Sequence, residues 1–577
     1  MRGSFGFRNK AAFSAARDIM RPAYRLDLQL PKAFCTLFKA NPQVDFSKFQ
    51  PVDLWIAWST CRATRRRWLI ADPLGYPEIE PTEFPKLSTN GWGQTVEADF
   101  QIKPKQGGGL RLEVLPDIFT STYFQAVADR LAERDLGLAS SLSARLFGLR
   151  LKQGNPYEVW SSVVPAWIRT ELASGHCVVF ADIHDYFGSI KLEQIEAALR
   201  RAGLEEEIWR STIALVDALN KTPDEQGAIR SGLPVVPEEF FWLVADLVLA
   251  PVDEALDGIL PFSAYARWVD DFLVATALSD VDPVLARLQF EVETRGFRLN
   301  PTKTKVFTSL EEFENVSRLT EHKILDDLFL TQVQGSISNE QQTALDRLIR
   351  SQRTTSPEDG RLWKRIYGLA ERLRTPLLLE RAIADLDRLP LAELQILAYL
   401  SALGWPNLTA TQALGSISKV KSQTRALGTL RALVSSSSGP SAKVKQILQS
   451  FLLEPDSDCH PFVCVLAFAC LIRDSDPGEL LFEGQQLLER LPRLASATAR
   501  RVAIELLWLI PHLRPELSKQ IALDQSWEVK CLQSLANADR ADKQRMYRFE
   551  RRATPPRSLD WGEVDLRIAR AFHLVYT

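Results

Sequence analysis

The sequence predicts an α+β core followed by an all-α, helical-repeat-like region. Three observations predict it. Between residues 98 and 320, short apolar runs alternate with segments of helical periodicity. From residue 321 onward, Leu and Ala recur at i, i+3 and i+4, as in Leu377 to Leu389 and Leu391 to Leu403. The chain has 577 residues, of which 46% are hydrophobic and 25% charged, the balance of a folded globular protein too long for one core.

Residues 1–97 read as an N-terminal extension, partly basic and rich in Trp and Pro. Arg62, Arg65, Arg66 and Arg67 lie beside Trp55, Trp58 and Trp68. That combination suits a single-stranded nucleic-acid surface, where bases stack and phosphates pair with Arg. It equally suits a solvated helix face with its Trp in a core. In residues 98–320, Val178 to Ala181 is a short apolar strand and Leu192 to Arg201 a helix. Phe240 to Leu256 is a long apolar helix opened by Pro237. Arg267 to Ala275 reads as a hairpin turning at an Asp-Asp pair, and Phe297 to Leu299 begins an edge element. Residues 321–577 form the helical C-terminal domain, interrupted at Ser435 to Pro440 and without a strict repeat. A basic stretch, Lys543 to Arg557, lies near its end.

Lys and Arg total 70 against 72 Asp and Glu, so contact with phosphates must come from local patches. The longest apolar run, Pro461 to Ile472, is shorter than the roughly 18 residues of a membrane span and reads as a buried helix. No apolar segment followed by a small-residue cleavage site marks the N-terminus. Seven cysteines without C-x-x-C spacing fit a reducing compartment, and the expected location is cytoplasmic. Cys459, Cys464 and Cys470 near His460 read as small buried residues rather than a zinc site.

The strongest chemical signal is Tyr265 to Val274, where Asp270 and Asp271 sit between short apolar strands. Adjacent carboxylates held on a sheet repel each other, and a divalent cation relieves the repulsion. Asp326-Asp327 is a second pair without that setting and reads as a helix start. Upstream, Asp182 closes the Val178 strand and is followed by Tyr186-Phe187. A strand-end carboxylate joined by an Asp pair from a neighbouring hairpin makes a site for two Mg²⁺ ions about 4 Å apart.

These motifs resemble the palm of a reverse transcriptase. Asp182 matches the first catalytic aspartate of the A-D-I-x-x-F-F-x-S-I motif, and Asp270-Asp271 the Tyr-x-Asp-Asp hairpin, with Trp268 as its aromatic. Gly232-Leu-Pro234 matches the intervening G-L-P-x-G, and Gly296 to Thr304 the G-L-x-L-N-x-x-K-T that follows. Lys103-Pro-Lys105 with Arg111 resembles the fingers hairpin, and Ser143-Ala-Arg145-Leu a segment of bacterial abortive-infection and "unknown group" enzymes of phage defence. The resemblance implies a right-hand polymerase, with fingers and palm, before the helical domain. It implies Asp182, Asp270, Asp271 and the backbone carbonyl of Ile183 as metal ligands, with Mg²⁺, or Mn²⁺ in its place. It implies Lys303 or Lys305 as the proton donor to pyrophosphate, Lys105, Lys103 and Arg111 as triphosphate ligands, and Phe187 as a gate against the ribose 2′-hydroxyl. Gly232 and Pro234 would border the nucleotide. Gly107 to Gly109 reads as a hairpin turn, since no Gly-Lys-Ser/Thr follows.

The chain departs from the family where Val236 and Phe240 replace small residues and Glu238 and Glu239 add acceptors. Small residues there leave room for the nucleotide and the template base. These four residues are therefore candidates for base or template selection, a carboxylate accepting from a base's exocyclic amine. Two modes stay open: synthesis without a conventional template, or RNA-templated synthesis on an associated non-coding RNA with Val236 and Phe240 only repacking a helix start. An inactive scaffold is a third reading. The resemblance further implies deoxynucleoside triphosphates, a DNA product, a non-coding RNA or second defence protein, a homo-oligomer, and priming from a protein hydroxyl such as that of Tyr576. No membrane partner is expected.

Overall fold

A computed structural model of the chain describes residues 46–65, 98–104, 110–133, 156–220, 232–257, 264–317, 338–352, 360–403, 423–434, 440–453, 461–472, 475–494 and 496–524, with a few single residues among and after them. Lys105, Gly107 to Gly109, the Ser143 segment, Asp326, Cys459, His460, Lys543 to Arg557 and Tyr576 lie outside the described residues.

The first described helix, α1 (Pro51–Arg65), precedes a two-stranded antiparallel ribbon, β1 (Ala98–Pro104) and β2 (Leu110–Pro116). Helices α2 (Ile118–Glu133) and α3 (Pro156–Ala173) follow, then strand β3 (Cys177–Asp182). Next come α4 (Leu192–Arg201), α5 (Glu206–Asn220), α6 (Glu239–Asp257), the hairpin β4 (Tyr265–Trp268) and β5 (Asp271–Thr276), α7 (Val281–Glu293), β6 (Lys305–Phe307) and α8 (Leu310–Ser317). Strands β4, β5, β3 and β6 form one sheet in that order, every neighbour antiparallel.

Side-chain alternation gives this sheet two apolar faces. Val179, Ala181, Phe272 and Val274 point into a large core shared with α2 and with α4 to α7. Val178, Ala266, Leu273 and Ala275 point the other way, onto Val164, Ile168 and Leu172 of α3 and Phe313 of α8. The pattern of α4 shows why it forms: Ile195, Ala198 and Leu199 make one buried stripe, and Arg200 and Arg201 sit in the last turn, where they complement the helix dipole. Helix α6 is apolar nearly all round, as befits a helix enclosed on several sides. Pro251 inside it has no N–H for the Leu247 carbonyl, and Arg201 Nη2 donates to that carbonyl at 2.6 Å instead.

Helix α1 has no core of its own: Leu54, Ala57 and Trp58 belong to the large core, and Trp58 packs on Phe119. Arg65 is also buried, donating to Pro116 O and Ser121 Oγ. Of the basic and aromatic run, Trp58 and Arg65 are therefore interior groups, while Trp55 is exposed.

From Asn339 to Leu523 the described elements are helical, and they share a single core. Helices on both sides of Ser435 to Pro440 contribute to it, Leu427 and Leu430 before and Val444 and Leu448 after. Phe462–Leu471 is the buried helix expected from its composition, every residue of it enclosed. Leu115 of β2 joins this second core, and Glu528 binds Arg501 at 2.9 Å, approaches Arg65 at 3.7 Å and accepts from the Ile118 N–H. The helical region is thus packed onto the ribbon and the start of α2. No helix among the described residues is long and apolar enough to cross a membrane.

Candidate active site

Strand β3 ends at Asp182, which pairs in register with Asp271, the first residue of β5. Trp268 pairs with the same Asp271 from β4, so the connection is the two-residue turn Val269-Asp270. The turn begins one residue earlier than an Asp-Asp turn. Asp270 lies in it, and Asp271 already belongs to the strand. By alternation, Asp182 and Asp271 share the sheet face of Phe180 and Leu273, just past the apolar patch under α3. Asp182 and Asp271 therefore lie side by side at one end of one face, with Asp270 in the adjoining turn.

Val269 adopts φ +55°, a conformation that costs a β-branched residue on the order of 1–3 kcal/mol. Hydrogen bonds fasten the turn. The Asp270 carbonyl accepts the Ile183 N–H at 3.2 Å, and the Val269 carbonyl accepts Arg267 Nη1 at 2.7 Å. Arg267 is fully buried, between Asp246 and Asp253 of α6.

Asp182 is held from the segment before β6. The Asn300 N–H donates to the Asp182 carbonyl at 2.7 Å, Asn300 Nδ2 reaches Asp182 Oδ2 at 3.3 Å, and Lys303 Nζ lies 2.7 Å from Asp182 Oδ1. Thr302 in turn bonds Asn300 Oδ1 through both its N–H and its hydroxyl. Burial and the charge of Asp182 push the Asp270 carboxyl up to about 6, with Lys303 and Arg111 opposing. Burial, then Asp270 and Asp182, push Asp271 further in the same direction. Among the described residues no three His, Cys, Asp or Glu side chains stand at the spacing of a finished metal cage. The donor set nevertheless suits a hard divalent cation, since it offers only oxygens from carboxylates whose mutual repulsion a cation relieves. The Lys303 ammonium is the internal cation that takes one of those oxygens here.

Arg111 is exposed on β2, opposite Lys103 on β1, and its charge reaches Asp270. The ribbon is tied to the segment before α6 by the Val114 N–H, which donates to the Val235 carbonyl at 2.9 Å. In that segment Gly232 is buried at φ +143°, and a Cβ there would stand 2.5 Å from the Gly188 carbonyl oxygen. The Leu233 N–H donates to the Phe187 carbonyl at 2.8 Å. Gly232 is thus required by close approach to the turn carrying Phe187. The Phe187 ring is half-buried, edge-on to Tyr186 and to Trp242 of α6, and Pro234 is buried beside this junction.

The four departures from the family pattern are placed as follows. Val236 and Phe240 lie inside the large core, Phe240 stacked on Phe124 with ring centroids 4.8 Å apart. Glu238 is buried and accepts from Ser121 Oγ. Glu239 is half-buried and accepts from Gln125 Nε2 at 3.2 Å. Sequence reasoning missed Asn300 as a support of Asp182, Trp242 as a wall for Phe187, and Arg267 altogether. The signal for Arg267 was present: an arginine in an otherwise apolar strand, with two aspartates seven residues apart on a helix that has few other charges.

No protein-family model matches the chain, and no curated protein matches it. Among solved structures, it is similar to apo telomerase from Candida tropicalis, with 11% identity and a TM-score of 0.27, over 67% of this chain and 69% of that one. It is similar also to telomerase from Candida albicans in complex with a TWJ fragment of telomeric RNA, with 13% identity and a TM-score of 0.24, over 68% of this chain and 62% of that one. Likenesses of this size leave the site to be read from its own geometry.

Proposed function

We propose that the chain is a deoxynucleotide polymerase of reverse-transcriptase type. The observation that carries this is the in-register pairing of Asp182 with Asp271, with Asp270 in the adjoining turn, at one end of a four-stranded antiparallel sheet. Asp182, Asp270 and Asp271 would hold the divalent cations, Mg²⁺ or Mn²⁺. When bound, these activate a 3′-hydroxyl and stabilise the leaving pyrophosphate. The chain's own residues supply the rest. Arg111, on the ribbon and within electrostatic reach of Asp270, neutralises triphosphate charge. Lys303 Nζ holds Asp182 before substrate arrives, and its exposed ammonium can give a proton to the departing pyrophosphate oxygen. Phe187, braced by Trp242 and fixed through its carbonyl, presents a bulky edge to the sugar.

The burial of Val236 and Phe240 favours templated synthesis. Both side chains fill the core, which supports the reading in which they repack the start of α6 and leave a base-paired template room. The resemblance of the motifs to phage-defence enzymes brings the antiphage role into the same proposal. The test uses purified full-length protein, nuclease-treated or untreated, with Mg²⁺ and all four deoxynucleoside triphosphates. Synthesis that needs the co-purified RNA, with product complementary to it, is the expected result. Product of restricted composition from the nuclease-treated protein would replace templating with selection by protein groups. Plaque counts on cells carrying wild type or Asp270→Asn test the defence role, with protection expected only from wild type.

A further inference from the structure

Arg267 stands under the carboxylate turn with no part in the chemistry so far described. Its side chain is 0% exposed, and those of Asp246 and Asp253 are 2% and 6% exposed. Arg267 Nε and Nη2 grip the two Asp253 oxygens at 2.8 and 2.5 Å, and Nη1 lies 2.7 Å from Asp246 Oδ1. Tyr265, two residues back on the same strand face, donates its hydroxyl to Asp253 at 2.6 Å. Buried ion networks of this kind are often replaceable by apolar residues without loss of stability. Stability alone is therefore a weak reason for its presence.

The arrangement has a direction. Helix α6 is held from outside by Arg201 and Arg295, at the Leu247 and Pro251 carbonyls. Asp246 and Asp253 are seven residues apart on it, so both face the hairpin. Arg267 carries that anchorage one step further, since Nη1 also donates to the Val269 carbonyl. Val269 holds a left-handed backbone that its branched side chain disfavours, and the next carbonyl, that of Asp270, is held by Ile183. Two successive carbonyls of the turn are thus pinned, one by a side chain and one by the neighbouring strand end, and what they fix is the aim of Asp270 and Asp271 toward Asp182.

We propose that Arg267, set by Asp246 and Asp253, is a positioning residue that holds the Val269-Asp270 turn in the conformation that brings the three carboxylates together for divalent-cation binding. The proposal rests on the metal-binding reading of those aspartates.

The experiment titrates Mn²⁺ onto metal-stripped full-length protein, followed by electron paramagnetic resonance, with thermal melting in parallel. Wild type is expected to bind Mn²⁺ and Asp270→Asn to lose it. If the two bind alike, the metal-binding reading fails and the positioning role with it. Arg267→Lys keeps the charge and loses the fork. It is expected to melt cooperatively and to bind Mn²⁺ about tenfold or more weakly, the range seen when a ligand's support is removed. Adding Val269→Gly, which takes φ +55° without an anchor, should restore most of that affinity. A second variant, Arg267→Met with Asp246→Asn and Asp253→Asn, removes all three charges together and should show the same loss while folded. Folded variants that bind Mn²⁺ as wild type does would overturn the positioning role. So would a loss that Val269→Gly leaves untouched, or unfolding of both Arg267 variants. Each of these would make Arg267 a support of the core alone.

Discussion

Asp270 sits in the turn while Asp182 and Asp271 sit on strands, so its carboxyl is the one whose direction depends on two backbone torsions rather than on sheet pleating. Asp270→Asn keeps that geometry and removes one charge. Nucleotide incorporation should fall by at least about a hundredfold, the scale of losing a group that stabilises transition-state charge. The melting temperature should not fall, since burial already disfavours the charge. Gly232 is a residue of a different kind. Its substitution by Ala meets the Gly188 carbonyl and a positive φ together, and should cost about 1–3 kcal/mol in denaturant unfolding. Because the Phe187 turn must shift to relieve the contact, discrimination between deoxy- and ribonucleotides should weaken in the same variant.

At the scale of elements, β3 and the β4–β5 hairpin were legible because they are apolar runs ended by charged or turn residues, and α4 because its stripe is regular. The edge element expected from Phe297 to Leu299 gives only the single bridge of Leu299 to Ile183, and the edge strand is instead β6, which at three residues is too short to stand out. Helix Phe462–Leu471 was legible from composition alone. What was not legible depended on partners distant in sequence. The run with Trp58 and Arg65 fits either a nucleic-acid surface or a helix face with its Trp in a core until α2 is laid across α1 and encloses both residues. Val236 and Phe240 are open to either reading, facing a base or repacking a helix start, until Phe124 is seen to stack on one of them. Arg267 reads only as the start of a hairpin until α6 brings two aspartates over it. In each case the sequence gives the side chain's chemistry, and packing decides whether that chemistry faces water or a partner. The same logic predicts an effect at α6. Arg201→Ala leaves the Leu247 carbonyl without its donor and should destabilise the chain by roughly 1 kcal/mol in urea melts, a loss Arg201→Lys should partly restore.

Across the whole molecule, a buried charged cluster joins the helical region to the α+β core. Glu528 meets Arg501 and Arg65, and Arg65 shares Ser121 with Glu238. Removing Glu528 takes one of two carboxylates from buried Arg501, which keeps Glu505 at 3.0 Å, and the nearby charge from buried Arg65, so Glu528→Ala should cost about 3 kcal/mol. Burial lifts Glu238 from 4.5 to about 7, against the opposing pull of Arg65 and Ser121, and lifts Asp99 to about 6. The folded chain then keeps protons that the unfolded chain releases. Their contribution to stability is complete below the unfolded values and is lost as pH rises through the folded ones. For Glu238 the loss between about pH 4.5 and about pH 7 is up to roughly 3 kcal/mol. Glu238→Gln should flatten that slope in denaturant melts taken at several pH values.

The central claim is that Asp182, Asp270 and Asp271 form one catalytic centre for joining deoxynucleotides. The most direct measurement is Mg²⁺-dependent incorporation of labelled deoxynucleoside triphosphates by purified full-length protein with its co-purified nucleic acid retained. Wild type, Asp182→Asn, Asp270→Asn and Asp271→Asn are compared at matched folded concentration. The account predicts incorporation by wild type and its loss in all three variants. Incorporation that survives in any of the three, or its absence from wild type and variants alike, would contradict it.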